Sequence, residues 1–273
     1  MKRVLLLSTG DTIAQRPTRS SVASGVELLA AAGVLPFRVF AEDFLAEPGW
    51  DMPVGTMSAL ARRIQKALEE FDGVVVAQGL ESIEDSALLA DFLVHARGGI
   101  VFTGARRYLD HPDTDGPANL RHALETAADP RYANAGVAVC LDGVVHPARG
   151  NLPPRPVLVG EPETDVALIN AYAGMPESII TSAVDAGARG VVLAGSANGS
   201  VPVELFTTIS ELTSWDIPVV VPVTSTDSSV GPALVAKVGA IHAMGFTGRQ
   251  ARIALMVALA RGGVSGVREW FGG

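Results

Sequence analysis

The segment Ser8-Thr9-Gly10-Asp11-Thr12-Ile13-Ala14 packs three hydroxyls and a carboxylate around a glycine, directly after the apolar run Val4 to Leu7. A threonine hydroxyl becomes a nucleophile when a base accepts its proton, and a glycine lets backbone N–H groups approach a developing oxyanion. The same residues also satisfy turn backbone groups, so both readings stand for this segment taken alone. A second turn, Gln78-Gly79-Leu80-Glu81-Ser82, links the apolar run Val74 to Ala77 to a helical pattern. Turns at the C-terminal ends of parallel strands are where open α/β folds bind ligands. The spacing Ser82-x-x-Asp85 predicts that this turn also caps the helix.

Other reactive residues point to packing. The five histidines (His95, His111, His122, His146, His242) come without a G-x-S-x-G elbow. His111-x-Asp113-x-Asp115 alternates ligand-type residues, but the stretch also reads as the start of a helix at Asn119, and no metal site is expected. Neither G-x-G-x-x-G after a strand nor a Walker A motif is present, so no nucleotide or other cofactor is expected. Cys140, the one cysteine, sits in the run Val137 to Leu141 and reads as a buried small hydrophobe. Arg106-Arg107 reads as a solvated strand end, and Trp50, Trp215 and Trp270 as packing residues.

The elements that must position these turns follow from pattern. Val4 to Leu7, Val74 to Ala77, Ile100 to Thr103 and Val137 to Leu141 are the short apolar runs of buried parallel strands. Between them lie helical patterns. One follows the capping box Ser24-x-x-Glu27; one covers Met57 to Phe71 with Leu60, Ile64 and Leu68 on a stripe. Others carry the stripe Ile83, Ala87, Ala90, Val94 and the span Asn119 to Ala128. Alternation implies βαβ units and a parallel sheet, and Asp142-Gly143 predicts a type I′ hairpin at its edge. Residues 151 to 165 are rich in proline and charge and read as a linker. Strands at Gly190 to Ala194 and Pro218 to Pro222 follow, with helices at Pro202 to Ser214 and Thr247 to Arg261. The expected organisation is an N-terminal α/β domain over residues 1–152 carrying the site, a linker over 153–166 and a smaller α/β domain over 167–273. A chain of 273 residues with net charge −8 and no run of basic residues longer than two predicts neither nucleic-acid nor membrane partners. Without a signal-peptide pattern or an apolar run of about 18 residues, the expected location is the cytoplasm.

Motif by motif, the chain resembles the bacterial-type L-asparaginase family. Thr9-Gly10-Asp11-Thr12-Ile13-Ala14 matches its signature Thr-Gly-Gly-Thr-Ile-Ala with Asp11 in place of a glycine. Thr103-Gly104-Ala105-Arg106-Arg107, Asp115-Gly116-Pro117-Ala118-Asn119-Leu120 and Gly195-Ser196-Ala197-Asn198-Gly199-Ser200 are similar to further signatures in the same order, as is the helix from Gly245 to Leu259. The resemblance implies a two-domain asparaginase-like fold, a nucleophile at Thr12, and a site between the N-terminal domain of one subunit and the C-terminal domain of another. Asn198 would then contact a ligand across a homodimer or homotetramer interface. It also implies a Thr–Lys–Asp relay, which the chain lacks. The second signature, His-Gly-Thr-Asp-Thr, is here Gln78-Gly79-Leu80-Glu81-Ser82, and the lysine position falls at or beside Pro130. Gln15 to Ser24 reads as a flexible polar lid without the family's tyrosine, and Pro48-Gly49 stands before Trp50-Asp51 where the substrate carboxylate is held. The expected function is a divergent amidohydrolase or acyl-transfer enzyme acting on a small amide or amino-acid-like ligand, inefficient on free asparagine. Thr12 would be the nucleophile and Glu81 or Asp11 the base. Gly10, Trp50, Asp51, Gln78, Gly79, Leu80, Ser82 and Asn198 would line the ligand. The alternatives are a catalytically silent binding protein and a biosynthetic enzyme reusing the cleft.

Overall fold

The apolar runs become strands because both sheet faces are covered. In the computed structural model, which describes residues 1–46, 48–225 and 230–272, β1 (Arg3–Ser8) alternates its side chains between two cores. Val4 and Leu6 join α1 (Gly25–Ala32) and α4 (Gly116–Ala128) on one face; Leu5 and Leu7 join α2 (Val54–Ala67) and α3 (Leu80–Leu93) on the other. A strand buried on both sides needs apolar residues at every position. The same holds for β5 (Gly73–Ala77) and β6 (Gly99–Thr103), all of whose residues are buried. Between β1 and α1 lie β2 (Gln15–Arg16) and β3 (Ser21–Val22); β4 (Arg38–Asp43) precedes α2, and β7 (Val137–Leu141) and β8 (Val144–Pro147) follow α4. The sheet order is β4-β1-β5-β6-β7-β8, parallel except for the last pair. Asp142 and Gly143 turn that last hairpin with both φ values positive, at 51° and 73°, as a type I′ turn requires.

The chain leaves β1 towards β4 and returns past it to β5, so β1 and β5 flank the point where the strand order reverses. The turns after these two strands therefore open on the crevice where open α/β sheets bind ligands. They are the turns carrying Thr12 and Gly79.

Some local expectations hold and others are corrected. The sequence reading passed over β4, an edge strand whose charged, half-exposed residues (RVFAED) hide its pairing with β1. Gln15 to Ser24 is a short antiparallel hairpin. Thr18 ties it to Asp110, and Arg16 pairs with Glu27 at 2.7 Å. The capping box of Ser24 and Glu27 forms in both directions. The arginine, the Ser24 N–H and the Ser24 hydroxyl together lower the Glu27 pKa to about 2. The cap expected at Ser82 does not form. Gly79 in extended conformation is the N-cap, α3 starts at Leu80, and Ser82 is buried inside the helix.

The chain divides into two compact units, Met1–Val157 and Leu158–Gly273. The second is a parallel sheet ordered β12-β11-β10-β9. It runs β9 (Val166–Asn170), α5 (Ser178–Asp185), β10 (Gly190–Ala194), α6 (Phe206–Ser214), β11 (Val219–Val223), α7 (Val230–Lys237), β12 (Ile241–Met244) and α8 (Gly248–Phe271). Of these, β9, α5, α7 and β12 escaped the sequence reading. The last helix runs ten residues beyond the expected Arg261, with a kink at Gly262 and Gly263. Gly190 gives α8 close approach to β10, since a Cβ there would lie 3.1 Å from both Leu255 and Leu259. Among the described residues no helix is long and apolar enough to cross a membrane.

Candidate active site

The turn after β1 distributes its hydroxyls unequally. Ser8 and Thr9 are buried, and the Thr9 N–H and hydroxyl both donate to the Ala77 carbonyl, at 3.0 and 3.1 Å. They stitch the end of β1 to the end of β5, so for Thr9 the turn-satisfying role is the one observed. Gly10 and Asp11 then take left-handed conformations, with φ of 86° and 65°. Aspartate tolerates this region better than most side chains do. The Asp11 carbonyl accepts from Ala14 and Gln15 N–H, each at 2.8 Å, and buried Ile13 anchors the turn in the core. Half-buried Thr12 is left as the hydroxyl of this segment that reaches solvent.

Asp11 turns its carboxylate inward, where it is 3% exposed. Its Oδ1 accepts from the Thr12 hydroxyl at 3.0 Å and from the Thr12 N–H; its Oδ2 accepts from the Gly49 N–H. Gly49 precedes α2 and Gly79 follows β5, so three separate turns meet on one carboxylate. A Cβ on Gly49 would lie 2.7 Å from Asp11 Oδ2, and one on Gly79 would collide with the same oxygen. Neither glycine has a positive φ; space, not backbone freedom, requires them. Exposed Glu81 brings Oε2 to 3.0 Å from that same Gly49 Cβ position.

Beneath this cluster Gln78 is wholly buried, and its Nε2 donates to Ser82 Oγ and Ser86 Oγ at 2.8 Å each. Gln78 and Ser82, both buried, thus brace the first turn of α3. Leu80 lies against Gly104 at the end of β6, where a Cβ would meet its Cδ2 at 2.7 Å. The first turn of α3 has no side-chain cap, leaving its backbone N–H groups directed from the helix end beside Gly79. Trp50 and Asp51 belong to the turn that follows Pro48, and both are exposed. The contact with the cluster comes from the Gly49 backbone. Gly49 enters the sequence reading only as part of Pro48-Gly49, and nothing in that stretch points to the contact its N–H makes with Asp11. A cleft of about 430 Å³ opens beside Gly10, lined also by Ser8, Ala23, Ser24 and Asp43.

Pro130 and Asn198 belong to other elements of the chain. The C-terminal end of α4 sits over the N-terminal ends of β5 and β6, because Cβ atoms on Gly73 and Gly99 would collide with the Ala127 carbonyl. Pro130 therefore stands at the far edge of the sheet from Thr12, and a lysine at that position would not complete a relay. Asn198 lies in the second unit, where its Oδ1 accepts from Ser196 Oγ and the Ser200 N–H. The Asp115 to Asn119 motif is structural. Asn119 bridges the Gly104 carbonyl and the Asp142 N–H. Burial opposes ionisation of Asp115, but the N–H groups of Arg106 and Arg107 outweigh it and hold the carboxyl below its usual range. His111 accepts from the Asp113 N–H at 3.1 Å. Among the described residues no group of three or more His, Cys, Asp or Glu is placed to hold a metal. Burial raises the Cys140 pKa.

Two family models cover the chain, the asparaginase N-terminal domain over residues 3–151 and the glutaminase/asparaginase C-terminal domain over 165–271. The chain belongs to the asparaginase family. It is 25% identical over 309 residues to an L-asparaginase of Bacillus licheniformis, covering 95% of this chain and 96% of that one. It is 27% identical to L-asparaginase 2 of Escherichia coli, covering 95% and 89%. One subunit of the glutamyl-tRNA(Gln) amidotransferase of Pyrobaculum aerophilum matches at 26% over 82% of this chain and 65% of its own length. In fold, the chain superposes on a probable cytoplasmic L-asparaginase of Campylobacter jejuni with a TM-score of 0.84, at 22% identity and 99% coverage of both chains. The asparaginase-like two-domain fold expected from the motifs is thereby shown.

Proposed function

We propose that this protein is an amide hydrolase or acyl-transfer enzyme in which Thr12 is the nucleophile and Asp11 its base, acting on an amide other than free asparagine. The observation that carries the reading is the 3.0 Å hydrogen bond from the Thr12 hydroxyl to Asp11 Oδ1, made by the hydroxyl of the turn that solvent can reach. A nucleophile and base must stand within such a distance. Between the two bases the sequence allowed, this contact favours Asp11, and Glu81 becomes a second negative charge at the mouth. Thr12 Oγ attacks the amide carbon as its proton passes to Asp11. The oxyanion is held by N–H groups at Gly79 and the start of α3. Collapse expels the amine, which takes the proton back from Asp11, and water or another amine then attacks the acyl-Thr12. In a homodimer or homotetramer, Asn198 of another copy would contact the ligand.

The test is ammonia or amine release from asparagine, glutamine and a panel of other amides, with wild type, Thr12→Ala and Asp11→Asn. Wild type should turn over an amide of the panel. Thr12→Ala should abolish turnover, and Asp11→Asn should lower kcat by roughly 10²–10⁴-fold, the usual worth of a general base. Silence of the folded wild type towards every amide would overturn the reading. The second reading, a silent binding protein, draws support from Leu80, which can move no proton where a hydroxyl is expected; ligand binding unchanged in Thr12→Ala would favour it.

A further inference from the structure

Three donors around the reaction centre converge on one anion seat: the Gly49 N–H, the Thr12 N–H and the Thr12 hydroxyl. A side chain of the protein already fills it. The Asp11 carboxylate is 3% exposed, and the two glycines beside it leave room for that carboxylate and for no Cβ of their own. Its partners are backbone N–H groups and a hydroxyl, with no lysine or arginine paired to it among the described residues, so its negative charge remains uncancelled. Exposed Glu81 adds a second negative charge at the same glycine.

We propose that Asp11 is a built-in occupant of this seat, so that the site rejects ligands bearing a carboxylate and admits amides that lack one. Two effects act together. The donors that would hold a ligand carboxylate are taken, and a second anion within about 4 Å of Asp11 would be repelled. A ligand whose other end is a protonated amine would instead be drawn towards Asp11 and Glu81. The substrate class is then a carboxylate-free amide, of which 3-aminopropanamide, asparagine without its α-carboxylate, is the matched probe. The turnover half of this inference rests on the Thr12 reading above; the binding half does not.

Asp11→Gly empties the seat and also suits the left-handed backbone at that position. Titration calorimetry with L-aspartate, which carries the carboxylates and offers no amide to cleave, should show at least tenfold tighter binding to Asp11→Gly than to wild type. Asp11→Asn, which removes the charge while its amide still fills the seat, should gain less affinity for L-aspartate than Asp11→Gly does. Wild type binding L-aspartate as tightly as Asp11→Gly would overturn the proposal, as would gain of binding by Asp11→Asn equal to that of Asp11→Gly. On wild type alone, kcat/KM for 3-aminopropanamide should exceed that for asparagine at least tenfold, and the reverse preference would also overturn it. If neither amide is turned over yet Asp11→Gly gains L-aspartate binding, the hydrolase reading fails while the occupied seat stands.

Discussion

Gly79→Ala tests directly whether the Asp11 carboxylate occupies the space between the turns. Gly79 has ordinary extended angles, φ −65° and ψ 142°, so alanine meets no backbone objection there. Its methyl group would collide with Asp11 Oδ2 and lie 2.6 Å from Asp11 Cγ and 2.9 Å from the Gly49 Cα. Ordinary contact needs about 3.5 Å or more, so the neighbours must move by roughly 1 Å. Overpacking on that scale costs about 1–3 kcal/mol. Two of the three obstructing atoms belong to Asp11, and Asp11→Gly removes them while leaving the Gly49 backbone in place. The cost of Gly79→Ala should therefore fall by about 1 kcal/mol or more in the Asp11→Gly background. Urea denaturation of wild type, both single variants and the double variant closes the cycle. Independent sites add to within about 0.5 kcal/mol; additivity of that quality here would refute the placement of the carboxylate and the anion seat with it.

Further outcomes follow from other contacts. Arg149 pairs at 2.7 Å with Asp91, whose side chain is 2% exposed and also accepts from the Val137 N–H. Arg149→Met should cost about 3 kcal/mol by stranding that charge, and Asp91→Leu/Arg149→Met should recover part of it in the same denaturation assay; a cost below about 0.5 kcal/mol would contradict the buried pair. Ser24→Ala should cost about 1 kcal/mol through loss of the cap, measured in the same way. Glu27 titrates near 2 chiefly through the Arg16 guanidinium. A depressed carboxylate contributes stability above its ordinary value of 4.5 and loses it as pH falls through the range down to about 2. Arg16→Gln should raise the Glu27 midpoint seen by NMR titration, and an unchanged midpoint would remove the arginine as cause. Leu80→Thr with Glu81→Asp should leave asparagine turnover low, because Asp11 still fills the seat, and addition of Asp11→Gly should raise affinity for asparagine.

The strands and caps were legible because they rest on neighbours in the chain. Val74 to Ala77 is apolar throughout because both sheet faces cover it, and the Asp142-Gly143 turn follows from two residues that accept positive φ. Ser24 and Glu27 meet across one helical turn wherever that helix packs. Misreadings arose where a pattern had more than one local solution. Ser82 and Asp85 have capping spacing, but the glycine at 79 ends the strand earlier and draws Ser82 into the helix. In β4 the charges of an edge strand masked a real pairing.

By itself the sequence determined the family, the alternation of strand and helix, and the turn that carries Thr12, since each depends on residue order and local preference. Only the tertiary structure decided which hydroxyl of that turn is spent on Ala77 and which reaches solvent. It also decided that Pro130 stands at the wrong edge of the sheet, and that Gly49, Gly79 and Thr12 close on Asp11. The physical reason is one of distance along the chain. Gly49 lies 38 residues from Asp11, and no local preference tells a backbone N–H which carboxylate it will find.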